Sequence, residues 1–258
     1  MSKQSDIFVK MHASYEKKFA LSMLKEFRKV FRNIPFDEIN ESNAEVLIRS
    51  KLNPISIEKA LETSYLSIGL QYGRLVENSI RNEEKAFKPK GLFSLKFRNL
   101  ILSYLTTQGG ELISTLTDTM VTEVVKVLRE SVESTDTLSQ AITKVKKVVN
   151  SPSFYRWQAM RIARTETTFA MNSAKLMAVS ESGVIYNKVW AHSRAKQERP
   201  EHLALNNTEV GETEMFNVGG VAMEYPGDKR GGAKQCINCR CTFTYRPKRD
   251  NNGRLMFK

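Results

Sequence analysis

At Gly183 the rhythm of the apolar residues changes. Before it they recur three or four positions apart: Ile7, Met11, Tyr15, Phe19, Met23, Phe27, Val30 and Phe31, then Ile57, Leu61, Tyr65, Ile68, Tyr72 and Leu75, then Leu116, Met120, Val124 and Leu128. Such spacing lays a single apolar stripe along an α-helix. After Gly183, the run from Val184 to Trp190 alternates and is rich in β-branched and aromatic residues, which suits a strand. The expected class is therefore α+β: a helical N-terminal region, then a small α+β domain in which a long helix packs on a short, mainly antiparallel sheet.

The punctuation divides the chain further. A first helix over residues 6–31 ends at Asn33 to Pro35, because the position before a proline resists helical backbone. A second begins near Asn40 or Ser42, where Ser42 and Glu45 have the spacing of a capping box, and runs towards Lys51. A third extends to about Asn82, with Gly69 and Gly73 four apart on it, a spacing that lets another helix approach closely or marks a flexible joint; the apolar stripe continuing on both sides favours close packing. Residues 83–98 contain Pro89 and Gly91 and read as a connector, and Gly109-Gly110 interrupts the apolar run that follows. Helices are expected again over 112–132 and 137–150.

Ser151-Pro152-Ser153 marks the boundary between a helical docking region, 1–150, and an α+β domain, 151–246. That domain opens on an Ala-rich helix closed by Ser182-Gly183. Short strands fit at 209–210, 221–225 and 242–245, among turns rich in Gly, Pro and Asn. Residues 247–258 form a basic, polar tail expected to be mobile.

Composition narrows the function classes. The N-terminus is too polar and charged for a signal peptide, and the most apolar later segment, 91–105, is broken by Lys96, Arg98 and Asn99. A soluble chain without a membrane partner is the expectation. The three cysteines crowd into six residues, Cys236, Cys239 and Cys241, a spacing that suits reduced thiols in a cytosolic setting better than a disulfide framework. A formal net charge of +12 allows an acidic partner, nucleic acid or an acidic protein surface, and equally a solvated basic surface with no dedicated ligand, since no Lys/Arg block is interleaved with aromatics as in a nucleic-acid groove. His12, one turn from Phe8, reads as a surface residue.

Read in order, Ala163-Arg164-Thr165-Glu166-Thr167, Asn172, the Gly-closed helix end, Trp190, Arg199-Pro200-Glu201-His202, Asn206-Asn207, Tyr225-Pro226-Gly227-Asp228 and Ile237-Asn238-Cys239-Arg240-Cys241 resemble the phage Mu F-like minor head protein family over roughly residues 155–245. The resemblance implies a non-enzymatic minor head protein of a tailed phage or prophage. It would act in head morphogenesis or DNA packaging, with portal or capsid proteins as partners. It also implies location in the virion, at the head interior or portal vertex, after assembly in the host cytoplasm. Arg164, Glu166, Asn172, Trp190, Asn238 and Arg240 within these motifs, with Arg161 on the same Ala-rich helix, are expected to be structural motif residues. The chain departs from the family after the Trp strand, where His192-Ser193-Arg194-Ala195-Lys196 lacks the acidic residue commonly found there.

Residue chemistry adds a separate expectation. His202 together with Cys236, Cys239 and Cys241 supplies one imidazole and three thiols, a set zinc accepts, so a structural zinc site is one reading. Cys236 and Cys239 have the two-residue gap typical of zinc ligands. Cys239 and Cys241, two apart on an extended segment, share a face and with His202 form a second candidate set. The competing reading makes the cysteines small buried hydrophobes. A cysteine nucleophile beside Arg240, or a metal-dependent nuclease using His202 with Glu201 and Asp228, are the enzymatic alternatives, and a zinc-clamped DNA-binding module is another. Arg164 and Glu166, two apart on a helix, cannot face each other and are expected to pair elsewhere, orienting the cysteine loop.

Overall fold

A computed structural model describes residues 3–83, 92–193 and 199–258. Its helices are α1 (Lys3–Arg32), α2 (Ala44–Lys51), α3 (Pro54–Glu83), α4 (Leu92–Glu133), α5 (Leu138–Asn150) and α6 (Pro152–Glu181), followed by two short ones, α7 (Pro200–Ala204) and α8 (Gly232–Cys236). The strands are β1 (Tyr186–Ala191), β2 (Glu209–Gly211), β3 (Phe216–Val218), β4 (Val221–Met223) and β5 (Thr242–Pro247). The molecule is α+β, with a helical N-terminal region and antiparallel sheets. No helix among the described residues is long and apolar enough to cross a membrane.

Two compact units interleave along the chain. One unit comprises residues 1–18, 64–101 and 161–258; the other comprises 19–63 and 102–160. The second unit is all helical, with Phe19, Met23, Phe27, Ile48, Leu61, Val124 and Leu128 buried in it. Its surface carries the Arg49–Asp118 and Arg129–Glu41 ion pairs, each 2.6 Å.

In the first unit, β1 is the central strand of a three-stranded sheet ordered β2-β1-β5. Both pairings are antiparallel, and Trp190 stands opposite Phe243. A separate hairpin pairs β3 with β4, Phe216 opposite Met223. The buried half-turns of α1 bring Phe8, Tyr15 and, unexpectedly, His12 and Glu16 inside, so His12 is not a surface residue. The stripe is rotated from the one read on Ile7 and Met11, which are only half-buried.

Gly69 and Gly73 sit where the rings of Phe97 and Phe93 press against α3, the close approach their spacing predicts. Those phenylalanines lie in residues 92–98, which are the start of α4 and not a connector; residues 84–91 lie outside the described ones. Phe93, Phe97, Ile101 and Leu105 hold a four-residue period that the adjacent Pro89 and Gly91 obscure. Gly109 and Gly110 do not break α4 either: each costs about 1 kcal/mol in a helix interior, too little to interrupt a 42-residue helix.

Two further expectations give way. The Ser42–Glu45 capping box does not form. Helix α2 starts at Ala44, and Asn40 Oδ1 instead accepts from the Ser42 and Asn43 backbone N–H groups. The tail is not free, because the Ile185 N–H donates to Met256 O, the Lys258 N–H to Gly183 O, and Leu255 is buried.

Candidate metal and clamp site

The site is built on α6. Its polar residues Arg164, Thr168, Asn172 and Lys175 recur at helical spacing within an Ala-rich face, and each reaches the segment 238–243 that leads into β5. Arg164 Nη1 donates to Asn238 Oδ1 at 2.8 Å, and the Asn238 N–H donates to Thr165 Oγ1 at 3.0 Å. Thr168 Oγ1 donates to Cys239 O at 2.5 Å. Asn172 Nδ2 donates to both Cys241 O and Pro226 O, and its Oδ1 accepts from Thr242 Oγ1. Lys175 Nζ donates to Thr242 Oγ1 and Phe243 O.

The match in length explains the ladder. Eleven helical residues rise about 16 Å and five extended residues span about the same, so the two chains keep pace. Asn238 adopts φ 59°, a left-handed conformation that asparagine tolerates better than most residues, and this turns the chain onto the helix.

Arg164 and Arg240 converge on Glu16 of α1, Arg164 Nη2 at 2.9 Å and Arg240 Nη2 at 3.1 Å from Oε1. Burial alone would raise the Glu16 pKa, but hydrogen bonds from His12, Arg240 and Arg164 outweigh it and hold the carboxyl at about 2. His12 Nε2 lies 2.8 Å from Thr168 Oγ1. Burial depresses the His12 pKa, against the pull of Glu16. Glu166 faces away from Arg164, as two residues apart on a helix must. It accepts from Lys229 Nζ and from the Tyr65 hydroxyl, each at 2.7 Å. Arg161, half-buried, begins the same turn, its carbonyl accepting from Thr165 Oγ1.

Beyond this ladder lies the thiol cluster. Trp190 is fully buried and packs edge-on to both His202 and Phe216, and Val218, Met223 and the three cysteines complete one apolar cluster. His202, on α7, presents Nδ1 3.6 Å from Cys239 Sγ and 3.6 Å from Cys241 Sγ, while its Nε2 lies 2.9 Å from Gln235 Oε1. These three ligand atoms lie within 4.8 Å of one another.

Cys236 does not join them. It ends α8, and its Sγ donates to Asp228 O at 3.0 Å; burial pushes its thiol up to about 11. The four-residue set therefore resolves into three residues and a separate thiol, because the turn at Ile237 and Asn238 carries Cys236 onto the Asp228 loop. The Cys239 Sγ–H, together with His202, holds Cys241 below the usual thiol range, and that same sharing raises Cys239.

Glu201 and Asp228 stand apart from the cluster. Asp228 is engaged by Arg230 and by the Glu224 N–H, and Glu201 pairs with Lys234. His202, Cys239 and Cys241 are 2 to 3 % exposed. His12, Glu16, Thr168, Lys175 and Gln235 are site residues that sequence reasoning missed. The available signal was His12 with Glu16 four apart on α1 and the 164–168–172–175 polar spacing on α6.

Residues 122–244, just under half of the chain, match the family described as Phage Mu protein F like protein. The matched segment opens within α4, earlier than the motifs at 155–245 suggest, and closes in β5. Among curated proteins and among solved structures, no match is found.

Proposed function

We propose that this chain is a non-enzymatic minor component of a tailed-phage or prophage head, acting in head morphogenesis while bound to the portal or the inner capsid, near packaged DNA. The observation that carries the reading is the match of residues 122–244 to the phage Mu F-like family. The site chemistry supports it. Arg164, Thr168, Asn172 and Lys175 of α6 are engaged in holding the segment 238–243, and the cysteine–histidine cluster is buried, an arrangement suited to a rigid body. Long helices with apolar stripes suit docking against protein partners, and the excess of basic residues suits contact with DNA.

The test is co-expression with the portal and major capsid proteins encoded alongside it, followed by sedimentation. The chain is expected to travel with portal rings or proheads, and particles assembled without it to lose infectivity. Failure to associate, combined with full infectivity in its absence, overturns the reading. So does divalent-metal-dependent DNA cleavage that His202→Ala abolishes.

A further inference from the structure

The two distances from His202 Nδ1 to sulfur are equal, 3.6 Å to Cys239 and 3.6 Å to Cys241. A neutral imidazole has one lone pair and can accept a proton from one thiol only. Cys239 and Cys241, two apart on an extended segment, share a face and bring both sulfurs to it together. The spacing is also one that a shared ion requires. Tetrahedral zinc with bonds of about 2.3 Å to sulfur and about 2.0 Å to nitrogen places N and S about 3.6 Å apart.

The groups behind the ligands agree. Gln235 Oε1, an acceptor 2.9 Å from His202 Nε2, holds the proton on that nitrogen and leaves the Nδ1 lone pair turned to the sulfurs. Metal-bound histidines are commonly fixed in this way by a carbonyl or carboxylate on the far nitrogen. Backbone groups serve the sulfurs: the Cys241 N–H donates to Cys239 Sγ at 3.4 Å, and Cys241 receives a backbone hydrogen bond from Ser193. Such donors favour the negative charge that a bound thiolate carries. The walls are apolar, with Trp190 and Phe216 against the cluster, so an ion held there would be shielded from exchange.

We infer that His202, Cys239 and Cys241 bind one zinc-class divalent ion as a structural clamp, with Cys236 outside the coordination sphere. The clamp ties α7 to the segment that α6 grips by hydrogen bonds. A five-residue helix has too few internal bonds to be stable alone, and the clamp adds to the Glu201–Lys234 pair and the His202–Gln235 bond that already hold it.

The inference is independent of the role in head assembly, since metal content is measured on the isolated chain. The full-length protein is produced in zinc-supplemented medium and its metal content determined by mass spectrometry, for the wild type and for His202→Ala, Cys239→Ser, Cys241→Ser and Cys236→Ser. About one equivalent is expected in the wild type and in Cys236→Ser, and loss of at least about tenfold in the other three. X-ray absorption on the wild type identifies the ligands even where a variant fails to fold, and two sulfurs with one imidazole nitrogen are expected. A wild-type chain without bound metal, retention of metal by all four variants, or three sulfurs around the ion would each overturn the inference.

Discussion

Glu16 is a carboxylate taken out of water and surrounded by three cationic or donor groups, and its contribution to stability has a definite pH window. Its pKa falls from an ordinary 4.5 in the unfolded chain to about 2 in the fold. The folded state thus binds the proton more weakly. The stabilisation is present in full above pH 4.5 and is lost as the pH falls towards 2. The difference corresponds to about 3 kcal/mol, so Glu16→Gln should cost on that order at pH 7 in urea denaturation and should flatten the acid limb of the stability profile. Lys175 has the opposite chemistry. It is fully buried beside Phe8, Tyr72 and Phe243, and burial depresses its pKa from 10.5 to about 7. Folding therefore expels a proton between these values, and wild-type stability drops as the pH falls from 10 to 7. Lys175→Met removes that drop, so its stability relative to the wild type should improve over the same interval by a few kcal/mol, and an unchanged difference would refute the assignment. Sequence spacing shows the thiols and His202 as a group because all lie within a short stretch. Glu16 could not be found that way: its bonds to Arg164 and Arg240 span 148 and 224 residues.

At the scale of elements, periodicity reveals what lies along one helix and is silent on what lies across from it. Strand β1 and helices α1, α3, α5 and α6 follow from their apolar patterns because each pattern is long. Strand β3, three residues long like β2 and β4, is not marked by the turn-rich pattern around it, and the closing segment 248–258 is bridged to 183–185 by backbone groups that leave no mark on side-chain pattern. The glycine pair on α3 is the reverse case, a spacing that announces an approach without naming the partner. A Cβ built at Gly69 would lie 1.9 Å from Phe97 Cζ, and one at Gly73 would lie 1.9 Å from Phe93 Cζ. Gly69→Ala should therefore destabilise by about 3 kcal/mol through overpacking, although alanine is the better helix former by about 1 kcal/mol. Combining it with Phe97→Leu vacates the space, and the double variant should be more stable than the sum of the two singles by at least about 1 kcal/mol in a double-mutant cycle. Additive effects would mean that the ring does not meet that face of α3.

For the molecule as a whole, the decisive quantity is the excess of 40 Lys and Arg over 28 Asp and Glu. Many of the acidic groups are already committed: Glu16, Glu166 and Asp228 are buried against Arg164, Lys229 and Arg230, and Glu41 and Asp118 pair with Arg129 and Arg49. Internal pairing of this kind does not change the sum, and the net excess of +12 remains. If that excess meets packaged DNA, binding should be insensitive to sequence, and its free energy should come mainly from counterions released by phosphate contacts. The logarithm of the affinity for a random duplex should then fall linearly with the logarithm of salt concentration, losing at least about a hundredfold between 50 and 200 mM if five or more phosphates are neutralised. Glu16→Gln and the cysteine variants, which alter interior groups, should leave that slope unchanged, whereas replacing a cluster of surface lysines should reduce it. A flat salt dependence, measured by fluorescence anisotropy, would remove DNA from the partners of this chain and leave protein surfaces of acidic character as the match for its charge.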